Sequence, residues 1–268
     1  MSYLKKVNVL QHGHVILQEV MGSDHTIVQA ARTSYGKGTK TVSEDQGLIN
    51  YLMRHNHTSP FEMGEMKFHI RCPIVVWRQW IRHRTANVNE YSMRYSEAID
   101  DVEIPQTDEW RLQDENNKQG SGGALDAASS AVCTAQMNHA ANIAKAAYQS
   151  AIVAGVSREQ ARVILPVATY TEAVWKIDVH NLMHFLALRV KPNAQKEIRE
   201  YASVIADMFA EYFPMSWSAW LNYRLEAIKL SRTEIQCIAL KDWEGHRIEN
   251  KRERQEFVAK VELLRLGK

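Results

Sequence analysis

Apolar residues near the start of the chain fall on loosely alternate positions, Val7 and Val9, then Val15, Leu17 and Val20, a period that predicts short strands. Ser23 then opens a helix through Ile27, Ala30 and Ala31, and Ser43-Glu44-Asp45-Gln46 reads as a capping box ahead of a second helix with Leu48, Tyr51 and Leu52 on one face. Met66, Phe68 and Ile70 alternate with Lys67, His69 and Arg71, as in a strand with one buried face. From Pro73 to Ile81 the chain is apolar with Arg78 and Gln79 set into it, which predicts a buried element. Residues 100–123 are polar and end in glycines, so they read as a surface excursion. An alanine-rich helix spans Ala124 to Ala154 and is stopped by Gly155, and Ser157 with Gln160 forms another capping box for a short helix ended by Pro166. Thr169 to Ile177 reads as a strand, followed by helices over 179–190 and 194–212. In the last of these Ile198, Tyr201, Ala202, Ile205, Met208 and Phe209 make one stripe, which is core or subunit interface.

Strands and helices in this order, without regular βαβ punctuation, predict an α+β fold whose mixed or antiparallel sheet is wrapped by helices. A GxGxxG fingerprint is absent, and Gly36-Lys37-Gly38 is too short to stand in for it. The 268 residues, 45% hydrophobic and 24% charged, suit one sizeable domain. A net charge of +2 excludes a general nucleic-acid coat, so any basic function is local. No signal-peptide pattern or membrane-length apolar run occurs, which predicts a soluble, cytoplasmic protein that takes no membrane partner. Cys72, Cys133 and Cys237 are odd in number and unpaired in spacing, the pattern of reduced thiols.

The densest chemistry lies in RHRTANVNEYSMR, residues 82–94. Arg82, Arg84 and Arg94 can each offer a planar fork to phosphate oxygens, while Asn87, Asn89, Glu90 and Ser92 add the donors and acceptors that fix a heterocycle. Basic residues around a histidine also describe a solvated helix end, but these stand at the end of an apolar element, where charges need partners. A single-stranded nucleic-acid binding module is an alternative, using these arginines with Trp77, Trp80, Tyr91 and Tyr95. Its weakness is the flank of Glu90, Glu97, Asp100 and Asp101. His180 and His184 have the spacing of a zinc pair, and His55, His57 and His69 are further candidates. The first pair has no third ligand near in sequence and the second set no cysteine or carboxylate ligand in spacing, so no metal is expected. Ser92 has no local base to activate it and reads as a ligand contact.

The RHR, seven residues, then Ser pattern resembles the signature of the flavin-dependent thymidylate synthases. The resemblance extends to HNHTSPFEM (55–63), PIVVWRQW, QARVILP (160–166) and NLMHFLALR (181–189) with AQKEIREYA (194–202) after it, in order, and covers roughly residues 8–222. It implies a catalytic domain over 1–222, with 223–268 a helical extension of the same domain. It also implies reductive methylation of deoxyuridine monophosphate (dUMP) to thymidylate, with flavin adenine dinucleotide (FAD) as cofactor and methylenetetrahydrofolate and NADPH as co-substrates. It further implies that no cysteine nucleophile is used and that sites are shared within a homotetramer. Matched to the family motif, Gln79, Trp80, Ile81, Arg82, Glu90, Tyr91, Ser92, Met93, Arg94, Arg162 and Arg189 are expected to contact dUMP, with Arg94 and Ser92 at the phosphate. Arg189 is also the expected catalytic residue. Ser59, Arg82, His83, Arg84, Glu90, Asp178, His180 and His184 are expected at FAD, and His57 near the folate or NADPH. Asp178 and Met63 depart from the pattern, since some members carry Asn and His there. Aspartate can accept but not donate.

Overall fold

The structure is a computed structural model that describes residues 3–34, 45–115, 118 and 120–265. Ser43, expected to cap the second helix, and Gly36 to Gly38 lie outside these. Strands β1 (Lys5–Val9) and β2 (Gly13–Met21) pair antiparallel, and α1 (Asp24–Thr33) and α2 (Asp45–Arg54) follow. After a tight helical turn at Ser59–Met63 come β3 (Glu65–Pro73), α3 (Ile74–Trp80) and β4 (Asn87–Glu90). A small hairpin, β5 (Arg111–Gln113) with β6 (Ser121–Ala124), precedes α4 (Ala127–Val153) and the four-residue α5 (Arg158–Ala161). The strand β7 (Tyr170–Asp178) leads into α6 (Val179–Arg189), α7 (Lys196–Tyr212) and α8 (Pro214–Trp220). The main sheet has the order β1-β2-β3-β7-β4 with antiparallel neighbours throughout, so of the two expected forms the antiparallel one is found.

The register shows why one face of this sheet becomes core. Met66 stands opposite Ile177, Phe68 opposite Trp175, Ile70 opposite Ala173 and Cys72 opposite Thr171, and all eight are buried. Because side chains alternate between faces, the intervening positions form a polar face where Lys67 reaches Glu19 at 2.9 Å, His69 reaches Glu172 at 3.0 Å and Lys176 reaches Glu65 at 2.8 Å. Over the apolar face Trp80 of α3 packs on Trp175 (ring centroids 5.3 Å), Phe185 of α6 (4.9 Å) and Tyr201 of α7 (6.0 Å). Every residue of the α7 stripe is buried, so within this chain the stripe is core. Gly13 admits Tyr201: a Cβ there would lie 1.8 Å from the Tyr201 hydroxyl, which donates to the Arg71 carbonyl at 2.8 Å.

Several boundaries differ from the sequence reading. The excursion at 100–123 contains the β5–β6 hairpin, so α4 begins after Asp126, whose Oδ1 accepts from the Ser129 N–H at 2.9 Å. It ends at Val153, two residues before Gly155, whose φ of +85° no β-carbon favours. The Ser157 capping box is not formed: its hydroxyl donates to Gln160 Oε1 at 3.3 Å and leaves the helix N–H groups alone, consistent with a helix of only four residues. Contacts divide the chain into Met1–Trp220 and Leu221–Lys268. The second unit holds α9 (Arg232–Ala239) and α10 (Lys251–Arg265) around its own small core of Cys237, Ile248, Phe257 and Val261. Among the described residues no helix is long and apolar enough to cross a membrane.

Candidate functional site

The sheet topology brings distant motif residues to one end of β7. Its last residue, Asp178, faces Glu65 of β3, and the following Val179 N–H donates to the Gly64 carbonyl at 2.9 Å, so the Ser59–Met63 turn lies beside the start of α6. On the other side Asn87, first residue of β4, pairs with Lys176. Arg82-His83-Arg84 precede β4 and so arrive next to α6. A cavity of about 230 Å³ at this corner is lined by Glu65, Thr85, Ala86, Asn87, Lys176, Ile177 and Asp178.

Asp178 caps α6: its Oδ1 accepts from the Asn181 N–H at 2.9 Å and its Oδ2 from the Asn181 side-chain amide at 2.7 Å. Along the same helix the rings of His180 and His184 meet edge to face at 4.5 Å between centroids. Arg82 and Arg84 are exposed, with no hydrogen bond or ion pair to any described residue. Ser59 is exposed at the head of its turn, and His57 is exposed with its ring 5.7 Å from that of Tyr51.

At the other end of α6 the guanidinium of Arg189 is half-buried. Its Nε donates to His83 Nε2 at 3.1 Å and its Nη2 to the Gln79 carbonyl at 3.1 Å. A guanidinium has five N–H groups and no acceptor, so three have no partner among the described residues, and His83 must present a lone pair at Nε2 and carry its proton on Nδ1. Burial, then the Arg189 charge, then His184, hold the His83 imidazole down at about 4, so it is neutral at physiological pH. Burial also lowers Arg189 from its ordinary value, although a guanidinium stays charged.

These values set an expected pH dependence. The folded His83 lies at about 4 and the unfolded one near 6.5, so as pH falls the unfolded chain takes up its proton first. Stability from this group is complete above about pH 6.5 and is lost between there and about pH 4. Burial holds His14 at about 4 as well, and it acts in the same direction. Urea midpoints should therefore fall from pH 7 to pH 5, and by less in His83→Asn than in the parent protein. Equal falls in the two proteins would contradict the assignment for His83.

The remaining candidates lie along β4 and beyond it. Glu90 faces Ala173 and its Oε1 accepts from the Thr171 hydroxyl at 2.9 Å, while the Tyr91 N–H donates to the Glu172 carbonyl at 2.7 Å. Ser92 starts a turn that receives the Tyr95 and Ser96 N–H groups, both at 3.1 Å, with Met93 half-buried within it. Exposed Arg94 pairs with Glu159 of α5 at 3.1 Å, and Arg162 follows directly after that helix. No hydrogen bond or ion pair among the described residues joins Arg94 or Arg162 to Arg189. The structure thus gathers Gln79, His83, His184 and Arg189 in one cluster, which the His180–His184 contact joins to Ser59, Asp178 and His180 at the start of α6, and leaves Arg94 with Arg162 without a polar link to them among the described residues.

Two findings modify the sequence reading. Trp80 is wholly buried among aromatic rings, so any ligand contact from it is through its main chain, whose carbonyl already accepts from the His83 N–H at 3.0 Å; Ile81 beside it is exposed. Thr171, which holds Glu90, stood in no motif, whereas Gln195, which holds Gln79, fell in the matched AQKEIREYA stretch with no role assigned to it. Thr171 could have been noticed as a hydroxyl at an inward position of an alternating strand. The pairing of Gln195 with Gln79 carried no local signal, because the two are 116 residues apart.

The sequence profile of the family described as thymidylate synthase complementing protein matches residues 15–215. A flavin-dependent thymidylate synthase of Wolbachia pipientis is 50% identical over 230 residues, covering 86% of this chain and 81% of that protein. The Thermus thermophilus protein of the same description is 50% identical over 232 residues, covering 87% of this chain and 84% of its own. The Dictyostelium discoideum protein is 45% identical over 98% of this chain and 88% of its own. Among solved structures, the UMP/dUMP methylase PolB from Streptomyces cacaoi, bound with 5-Br dUMP, superposes with a TM-score of 0.72 at 31% identity, covering 81% of this chain and 98% of that one. The chain belongs to the family of flavin-dependent thymidylate synthases.

Proposed function

We propose that the chain converts dUMP to thymidylate by reductive methylation, with Arg189 as the group that polarises the uracil ring. The observation that carries this reading is the half-buried guanidinium fixed by His83 and the Gln79 carbonyl with three N–H groups to spare. Charge that develops on a uracil carbonyl as the ring becomes nucleophilic is stabilised most by a donor already in place and partly shielded from water. Phe185 and Leu186, both buried on the same helix, help to exclude that water. His83, kept neutral, orients the guanidinium without competing for its charge.

The residues fit a flavin dinucleotide by the chemistry of their donors. Arg82 and Arg84 offer unpaired planar forks suited to a pyrophosphate, and the His180–His184 pair with Ser59 adds ring surface and a hydroxyl. Asp178 contributes through the helix it caps. When bound, FAD supplies the hydride that NADPH delivers and that reduces the methylene from methylenetetrahydrofolate. The nucleotide phosphate is held at Arg94, Ser92 and Arg162. His57 stands near the folate or NADPH, and Glu90, tied to Thr171, borders both ligands.

Arg94 and Arg162, which no hydrogen bond or ion pair among the described residues joins to the groups around Arg189, support a homotetramer whose sites are shared between subunits. One face of α4 adds to this, with Val132 54% and Ile143 57% exposed three turns apart. Sedimentation velocity followed in the visible flavin band tests both parts. A flavin signal moving at the tetramer mass is expected. A signal moving at the monomer mass would sink the shared site, and protein with no visible band after FAD is added would sink the flavin reading.

A further inference from the structure

We infer that Gln195 is a positioning residue for Arg189: its side-chain carbonyl holds the Gln79 amide and so closes α3 against the head of α7, across the chain that leaves Arg189. The inference rests on the reading of Arg189 given above. Gln79 serves two partners at once. Its side-chain Nε2 donates to Gln195 Oε1, while its main-chain carbonyl receives Arg189 Nη2 at 3.1 Å. Movement of the Gln79 main chain would therefore take one of the two anchors from the guanidinium. It would also shift His83, whose N–H donates to the Trp80 carbonyl one residue further on.

The link from Arg189 to Gln195 is itself fixed, which makes the clasp stiff. Ala194 N–H donates to the Lys191 carbonyl at 2.9 Å, and Arg199 Nη1 of α7 donates to the Pro192 carbonyl at 2.7 Å. Behind it Trp80 packs on Phe185 and Tyr201, joining α3, α6 and α7 through apolar contact. Rings in contact can slide, whereas a hydrogen bond between two amides fixes their register. With its Nε2 on Gln195 Oε1, Gln79 has its own Oε1 and one N–H without a partner among the described residues, available to a ligand.

The test uses the flavin-loaded protein with Gln195→Leu, which keeps the bulk and removes the acceptor, and Gln195→Glu, which keeps an acceptor. Histidine-labelled samples report the His83 titration by NMR, so one readout is independent of activity. Its charged neighbours are Arg189 and His184. In Gln195→Leu the His83 value should rise from about 4 toward the ordinary range as Arg189 loosens. Single-turnover thymidylate formation at saturating dUMP should fall about 10-fold, with flavin reduction by NADPH unchanged. Gln195→Glu should restore both, and Gln195→Leu should add no further loss in an Arg189→Ala background, because a residue acting through another has nothing left to position. The inference is overturned if Gln195→Leu leaves His83 and the rate at parental values, or if its loss multiplies with that of Arg189→Ala. Should Arg189→Ala alone turn over at the parental rate, the catalytic reading fails. The His83 titration then still decides whether Gln195 holds the guanidinium: a shift sustains that, and an unmoved value overturns it.

Discussion

Arg189→Ala is expected to lower single-turnover thymidylate formation by about 10²- to 10³-fold even at saturating dUMP, equivalent to roughly 2–4 kcal/mol of lost transition-state stabilisation. The guanidinium is held in place before substrate arrives, by His83 Nε2 and the Gln79 carbonyl, both at 3.1 Å, so it needs little reorganisation when charge appears on the uracil. Arg189→Lys should recover only part of the loss, because an ammonium cannot satisfy both anchors and still present a planar fork. Arg94 makes the contrast. Its side chain is 58% exposed and pairs with Glu159 at 3.1 Å, and a phosphate contact is made in ground and transition states alike. Arg94→Ala should therefore weaken dUMP binding while leaving the saturated rate near parental. In both variants flavin reduction by NADPH should be little changed. A parental rate for Arg189→Ala at saturating dUMP would reduce Arg189 to a binding or structural residue.

The second large effect is on stability. Trp80→Ala should cost about 3–5 kcal/mol, a large part of the 5–15 kcal/mol typical of a folded domain. The indole is fully buried and touches Trp77, Trp175, Phe185 and Tyr201, so its removal opens a cavity where α3, the sheet, α6 and α7 converge. Its Nε1–H has no hydrogen-bond partner among the described residues. Trp80→Phe should accordingly lose less, since it vacates less volume and removes an unpaired donor. Denaturant unfolding of the three proteins checks the order parent, Phe, Ala. An alanine variant within 1 kcal/mol of the parent, about a fivefold change in the folding equilibrium, would mean that this junction is not the keystone of the core.

The fold was legible where a periodicity had one strong reading. Met66, Phe68 and Ile70 had to share a face, and the α7 stripe had to be buried, because spacing two and spacing near 3.6 leave apolar residues on one side only. β4 was not legible: Asn87, Val88, Asn89 and Glu90 are all exposed on an edge strand, so no hydrophobic pattern marks it, and its pairing with β7 is decided by tertiary structure. The β5–β6 hairpin escaped for the same reason, being short, polar and glycine-containing. At the site, local chemistry identified Arg82, His83, Arg84 and Arg94 as anion-binding candidates, and the family pattern added Arg189. The sequence could not indicate that His83 and Arg189, 106 residues apart, share a hydrogen bond, or that Asp178 uses its carboxylate to cap α6. Both depend on chain reversals that place β7 between β3 and β4.

The central claim is that this chain methylates dUMP with a reduced flavin and Arg189, without a thiol nucleophile. Cys72 is wholly buried and burial pushes its thiol well up, so it stays protonated. The most direct measurement is an anaerobic single turnover of the flavin-loaded variant in which Cys72, Cys133 and Cys237 are all alanine. The flavin is reduced beforehand and then mixed with dUMP and methylenetetrahydrofolate. The account predicts one thymidylate for each flavin oxidised, at a rate near that of the parent protein. A variant that binds flavin, is fully reduced and returns only dUMP would contradict it.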